Sequence, residues 1–339
     1  MQVFIVAAKK VDVSRLLEGK VTWSGSRIQV ARKLEFTLVQ DDRDPNLPVI
    51  EFENGYTVQA YDDNKELFFE GNIYRIERNR KAGKVSVVAL DHLHVLGVSK
   101  TTRKFTNAKP EDIATQICNE LGVIVGEFAK TDTPVTFIAN AKTGYQIIQS
   151  AYFEASKKTK KKYHPIMNGA KLDVIEKGTL IKDEETGENY TADSAINMTD
   201  SVYRESIEKL INQVLVVDDK GNMVDIQKDD ESIKKYSMFQ TVYKTDPNKD
   251  TQTEIKDIFE KNKIDRGGYI TVLGDYRVKS SYSIIVKDSL FKGQFWVKAD
   301  THTFIDGKHE MKLELEFENI MNEEKAEQEK EKKSKQKKK

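Results

Sequence analysis

Cysteine is almost absent: the 339 residues hold one, Cys118. A lone thiol closes no internal disulfide and builds no CxxC metal knuckle, which fits a chain made and folded in a reducing cytoplasm. No charge of one sign prevails either, because 55 basic and 55 acidic side chains cancel. No overall field therefore draws the molecule to nucleic acid or an anionic membrane, and partners must be found by local surfaces. Long hydrophobic runs are missing. The stretch from Met1 to Lys10 is too short for a signal peptide and no basic region precedes its apolar part; it reads as an edge-forming first strand. No later run approaches the ~20 apolar residues of a membrane helix. Neither phosphate-loop pattern occurs at Gly19 to Gly25 or at Gly267-Gly268, so no nucleotide or other cofactor is implied. The G-x-S-x-G elbow of serine hydrolases is also lacking, since Trp23-Ser24-Gly25-Ser26 has no first glycine.

The 38% of hydrophobic residues suffices for two or three domains, each with a core. From Val3 to about Leu96 apolar residues alternate with polar ones: Leu34, Phe36 and Leu38 share one face, Glu35 and Thr37 the other, and Val58 and Ala60 alternate with Thr57 and Gln59. Polar turns at Asp62 to Glu66 and Lys81 to Lys84 separate the strands, predicting a small barrel or sandwich over residues 1–100. Pro110 in a first turn, Glu111 and Asp112 against the helix dipole and Gly122 as a stop predict a helix over 110–121. Its stripe is Ile113, Ile117 and Leu121, with Ala114 and Cys118 beside it, which makes Cys118 a core residue. A second helix is predicted from Gly144 to Ser156, then a lysine-rich loop, then a hairpin of Tyr163 to Met167 and Lys171 to Ile175 about Asn168-Gly169. Residues 101–180 are therefore an α+β domain. Residues 181–320 return to strands, at Val214 to Val217, Met223 to Ile226, Ile270 to Leu273, Tyr282 to Val286, Phe295 to Val297 and through Met311, Leu313, Leu315 and Phe317, with a short helix near 253–262. Residues 321–339 are too polar to bury anything and are expected to be disordered in isolation.

Candidate chemistry is sparse. His92 and His94 are read on one side of a strand with Asp91 nearby, but no third ligand stands at metal spacing; His302 and His309 lie far from that pair in sequence, and His164 adjoins a proline. Glu184-Glu185 could serve a glycosidase, yet a turn-rich solvated stretch explains them. Lys157, Lys158, Lys160, Lys161 and Lys162 form the sharpest basic cluster, able to meet phosphates or an acidic protein rim, though only Tyr163 adds an aromatic and a solvated loop is the ordinary reading. Catalytic, metal and cofactor residues are thus expected to be none.

The order of several segments carries a resemblance: Val21 to Arg32, Asn54 to Val58, Phe69-Glu70-Gly71, Val88 to Asp91, Ile113 to Gly122, Asn168 to Leu172, Ile211 to Val214, and Gly293 to Val297 with His302 following. Together they resemble XkdQ-type tail proteins of contractile phages and defective prophages, over essentially residues 1–320. The resemblance implies a mainly β fold with an inserted α+β domain and two tail-tube-like barrel or sandwich domains. It implies a non-enzymatic baseplate hub in a virion, prophage tail or headless bacteriocin, a trimeric ring joining the six-fold tail tube to the three-fold spike. The partners it implies are two further copies of the chain, the tail tube protein, the spike protein and baseplate wedge proteins. The lysine-rich terminus suits a contact with the tape-measure protein. Trp23, Tyr56, Phe69 and Trp296 are candidate interface groups, each also readable as intradomain core. The alternatives are a peptidoglycan hydrolase delivered at the tail tip and a nucleic-acid-binding module using the lysine cluster.

Overall fold

In the computed structural model, residues 1–183 and 186–321 are described; Glu184, Glu185 and the polar terminus from Asn322 lie outside the described residues. The chain divides into two compact units, Val202–Gly268 and the residues on either side of it.

In the larger unit, alternation produces one long antiparallel sheet. Its order runs from Lys10–Asp12 through Gln2–Val6, Thr57–Tyr61, Leu67–Asn79, Lys84–Asp91, Lys33–Val39 and Val21–Ser26 to Lys292–Ile305 and Lys308–Glu316. Gln2–Val6 is not the edge: it pairs on both sides, and Lys10–Asp12, exposed throughout, is the edge. The path stays open, and no closed barrel is found among the described residues. Leu34, Phe36 and Leu38 are buried while their neighbours are not, as the alternation requires. They share a core with Val3, Trp23 and Val58, and each such buried side chain contributes about 1.5–3 kcal/mol. A second β core gathers Ile270, Ile284, Val297, Met311, Leu313 and Leu315.

The strand pattern stops at Asp91, short of Leu96. Leu93–Val98 is a helix because the Asp91 carboxylate accepts the Leu93 N–H at 3.1 Å and turns the chain. This begins the α+β region. The helix Pro110–Leu121 has the expected bounds and ends on Gly122 at φ 70°, a left-handed value that glycine takes without strain. The next helix, Gly144–Thr159, starts from a reciprocal cap between Thr143 and Gln146 and runs past Ser156, so Lys157 and Lys158 sit on its last turn and not in a loop. Tyr163–Asn168 and Lys171–Glu176 form the hairpin, with Gly169-Ala170 as its connection and only Gly169 at positive φ. The region has its own core, including Cys118, Ile148 and Tyr152. Met321, expected to open a disordered tail, is buried in that core.

In the smaller unit, Gln213–Val217 lies between Met223–Lys228 and Gln240–Lys244. The helix Thr251–Lys261, started by the Asp250 carboxylate on the Thr253 N–H, packs on it; the additional helix Asp230–Tyr236 starts from Asp229 in the same way.

Gly71 permits a close approach of two strands. A Cβ there would stand 2.2 Å from the Leu90 carbonyl oxygen, whereas one at Gly267 would meet nothing within 4 Å. Gly71→Ala is expected to lower stability by about 1–3 kcal/mol and Gly267→Ala to stay within about 0.5 kcal/mol, both read from urea unfolding midpoints.

Candidate functional site

The interface candidates separate by burial. Trp23 and Phe69 are 1% and 2% exposed; both are core groups and cannot meet a partner. Tyr56 is half-buried at the margin of the first core. Trp296 is also half-buried, its indole laid so closely on Gly178 that a Cβ there would stand 2.6 Å from Nε1.

The lysine cluster is largely engaged. Lys157 Nζ donates to Glu154 at 2.7 Å and Lys161 Nζ to Glu176 at 2.8 Å. Lys162 Nζ donates to the Asn319 carbonyl, and Lys177 Nζ to that of Ile320 at 2.5 Å, so two ammonium groups fasten the segment that ends in Met321. Lys158 and Lys160 are exposed, and they alone leave little for a phosphate backbone, where affinity grows with the number of contacts.

The remaining chemical candidates are separated or sealed. His92 and His94 lie at the start of a helix and not along a strand; His92 Nε2 stands 3.4 Å from Glu70, and His94 meets the Tyr74 ring at 4.4 Å. Positions two apart on a helix diverge. Among the described residues no three His, Cys, Asp or Glu side chains gather as a metal site. Cys118 is fully buried, and burial pushes its thiol up to about 12, which suppresses the thiolate a nucleophile needs.

A different constellation emerges inside. Arg32, buried, donates from Nη1 to Asp300 Oδ1 at 3.0 Å and from Nη2 to Oδ2. Its guanidinium lies 4.2 Å over the Trp23 ring. A Cβ at Gly25 would stand 2.5 Å from Nη1, so glycine makes room for the pair. Asp300 also accepts the Ser280 N–H at 2.6 Å. Burial works to raise its carboxyl, but Arg32 and His302 more than offset this and hold it well below the usual range. The Arg32 N–H donates to the Asp91 carboxylate at 3.0 Å, and that same carboxylate starts the helix Leu93–Val98. Trp23 belongs to the first β core, Leu93 to the α+β core and Val278, two residues before Ser280, to the second β core. One network thus ties three cores.

His302 extends it. Its Nε2–H donates to the Val278 carbonyl at 2.9 Å, and its Nδ1 stands 2.9 Å from His309 Nε2 in a hydrogen bond between the two rings. His309 stacks on Phe304 at 4.2 Å. The two histidines, seven residues apart, face each other because Asp306-Gly307 turns a hairpin between them, both at positive φ. An Asp-Gly pair between alternating strands was the available signal. A further pair of contacts joins Glu316 to Arg27 at 2.6 Å and to Lys177 at 3.5 Å. Each charge of Arg27, Arg32, Lys177, Asp300 and Glu316 has a partner of opposite sign. On the surface, a groove of about 510 Å³ is lined by Val49, Ile50, Phe52, Arg78 and Val85 among others, an open site without convergent catalytic groups.

Comparison with known proteins follows the fold. A family model described as YQBQ-like matches residues 21–316. Phage-like element PBSX protein XkdQ of Bacillus subtilis (strain 168) is 23% identical over 335 residues, spanning 95% of this chain and 99% of that protein. The 43 kDa tail protein of prophage MuSo2 from Shewanella oneidensis shares the fold at a TM-score of 0.64 and 10% identity, over 93% of this chain and 98% of its own. An E. coli component of the type VI secretion system, which exhibits structural similarity to T4 bacteriophage tail proteins gp27 and gp5, matches at a TM-score of 0.52 and 8% identity, over 92% of this chain and 76% of its own.

The interior predicts a pH response. Burial, with Lys177, Arg27 and Arg32 near, holds His164 down at about 3, and burial with His302 near holds His309 down at about 4. The unfolded chain protonates both near the ordinary 6.5, so it binds more protons than the folded chain from roughly pH 6.5 to pH 4, and stability falls as the pH falls through that window. Asp91, pushed up to about 7 by burial, acts oppositely: its contribution is present at low pH and is lost as the pH rises through about 7. His309→Gln is expected to reduce the loss of unfolding free energy between roughly pH 7 and pH 4.5. An unchanged loss in urea titrations would contradict the assignment.

Proposed function

This chain belongs to the YQBQ-like family, and from that membership and its fold we propose that it is a structural protein of a phage-type tail, acting as a baseplate hub. The observation that carries the reading is the shared fold with a prophage tail protein over nearly the whole of both chains. The fold shared with a type VI component similar to T4 tail proteins gp27 and gp5 supports the hub reading. Ion pairs in the interior, Arg32 with Asp300 and Glu316 with Arg27 and Lys177, suit a mechanical part.

In this reading three copies form a ring. Each copy supplies two tube-like β parts, at about residues 1–100 and 181–320, with the α+β part of about 101–180 between them. Three subunits with two such parts apiece present six similar edges, which reconciles a six-fold tube above with a three-fold spike below. The outer surface meets the baseplate wedge proteins, and the charged terminus of residues 321–339 reaches the tape-measure protein. Assembly takes place in a phage tail or a tail-like particle, with the chain synthesised in the bacterial host.

The test is the light-scattering mass of purified protein mixed with the tube and spike proteins encoded beside it, followed by particle imaging. A three-fold ring bridging both is the expected outcome. A persistent monomer that binds neither overturns the hub reading, and turnover of peptidoglycan that survives removal of contaminating hydrolases would replace it with an enzymatic one.

A further inference from the structure

Part of the lysine cluster is left without a carboxylate. Lys157 and Lys161 are neutralised by Glu154 and Glu176. Lys162 Nζ meets the carbonyl of Asn319, which satisfies a hydrogen bond but not a charge. Lys158 and Lys160, exposed at the last turn and the C-cap of the helix Gly144–Thr159, form no ion pair among the described residues. Lys162 also bears on Lys177, whose ammonium burial holds down at about 8; Glu316 opposes that shift, while Arg27 and Lys162 add to it. Positive charge is therefore in excess around the end of this helix.

The chain itself brings carboxylates to this place. After the last strand, Lys308–Glu316, residues 317–321 form a strap. Phe317 packs on the second β core, and Met321 is buried in the α+β core. Between them Asn319 and Ile320 give their carbonyls to Lys162 and Lys177, and Asn319 Nδ2 donates to the Lys177 carbonyl at 2.9 Å. The strap thus leads past the cluster. Asn322, Glu323 and Glu324 come next, and residues 322–331 hold five acids against two lysines. Glu323 lies four residues beyond Asn319, a reach of up to about 14 Å, and Lys160 lies two residues before Lys162, within about 7 Å. Opposite charge on so short a tether acts at an effective concentration on the order of millimolar, so weak pairs suffice to hold it.

We propose that residues 323–331 dock on the lysine cluster of their own chain, with Glu323, Glu324 and Glu327 set against Lys158, Lys160 and Lys162. The contact continues the strap and closes the surface on which an outside anion would otherwise settle. Residues 332–339, with six lysines and no acid, extend beyond it, so the charge this segment offers a partner is positive. Nucleic acid is the weaker occupant of the cluster, because three charges contribute little on a phosphate backbone and Glu154 and Glu176 stand among them. A second copy lacks the four-residue tether. The inference is independent of the hub reading above.

The test is zero-length crosslinking of the full chain with a water-soluble carbodiimide, which joins a carboxylate to an amine in contact with it, read by mass spectrometry on a mixture of isotope-labelled and unlabelled copies. The pairs Lys157–Glu154 and Lys161–Glu176 serve as internal controls. Lys158 or Lys160 is expected to join Glu323, Glu324 or Glu327 within one copy. In Lys158→Glu with Lys160→Glu, cleavage after Glu323 and Glu324 by a glutamate-specific protease is expected to quicken roughly threefold or more, the scale set by two exposed ion pairs. Control crosslinks without any from the cluster to residues 323–331, crosslinks only between differently labelled copies, or unchanged cleavage in the double variant each overturn the proposal.

Discussion

The ion pair of Arg32 and Asp300 is the contact on which the larger unit depends. It joins positions 268 residues apart, and each partner is held by further bonds that belong to a different core. Trp23 lies under the guanidinium, Ser280 donates to Asp300, and the Arg32 N–H reaches the Asp91 carboxylate that starts the helix Leu93–Val98. Two charges withdrawn from water cost several kcal/mol each unless every hydrogen-bonding direction is met. Here the geometry meets most of them, so the pair fixes which strands adjoin rather than supplying the bulk of the stability.

That bulk comes from burial. Three apolar cores in the larger unit and a small one in the smaller unit supply it, and the polar network sets how the three are joined. The strand Lys292–Ile305 shows the division of labour: it pairs with Val21–Ser26 on one side and Lys308–Glu316 on the other, and carries both Asp300 and His302. Val21–Ser26, near the start of the chain, and Lys292–Ile305, near its end, are thus neighbours, and the charge pair joins the residues that follow the one to the other.

Local features were legible in the sequence. Pro110 and Gly122 bound a helix whose ends depend only on nearby residues, and Leu34, Phe36 and Leu38 announced their buried face. Cys118 followed from its place on an apolar stripe. What escaped depends on distant partners. Arg32 reads as one surface charge among many until Asp300 is beside it. The stretch Leu93–Val98 reads as strand because Leu93 and Val95 alternate with His92 and His94, while its helix begins where the Leu93 N–H donates to the Asp91 side chain. Only the middle of Lys292–Ile305 was recognised, because a bulge between Val297 and Ala299 shifts the period. The lysines from 157 to 162 illustrate the same limit: they read as a solvated loop able to meet an anion, whereas Glu154, Glu176 and the carbonyl of Asn319 engage three of them within the chain.

The central claim is that one buried pair unites the three cores of the larger unit. Native-state hydrogen exchange on Asp300→Asn, followed by mass spectrometry, tests it most directly. The account predicts that protection falls together at Leu93, at Ser280 and along Val21–Ser26, because all three lean on the same network. Loss confined to Ser280, with the other two unchanged, would show that the cores hold their arrangement without the pair and would contradict it.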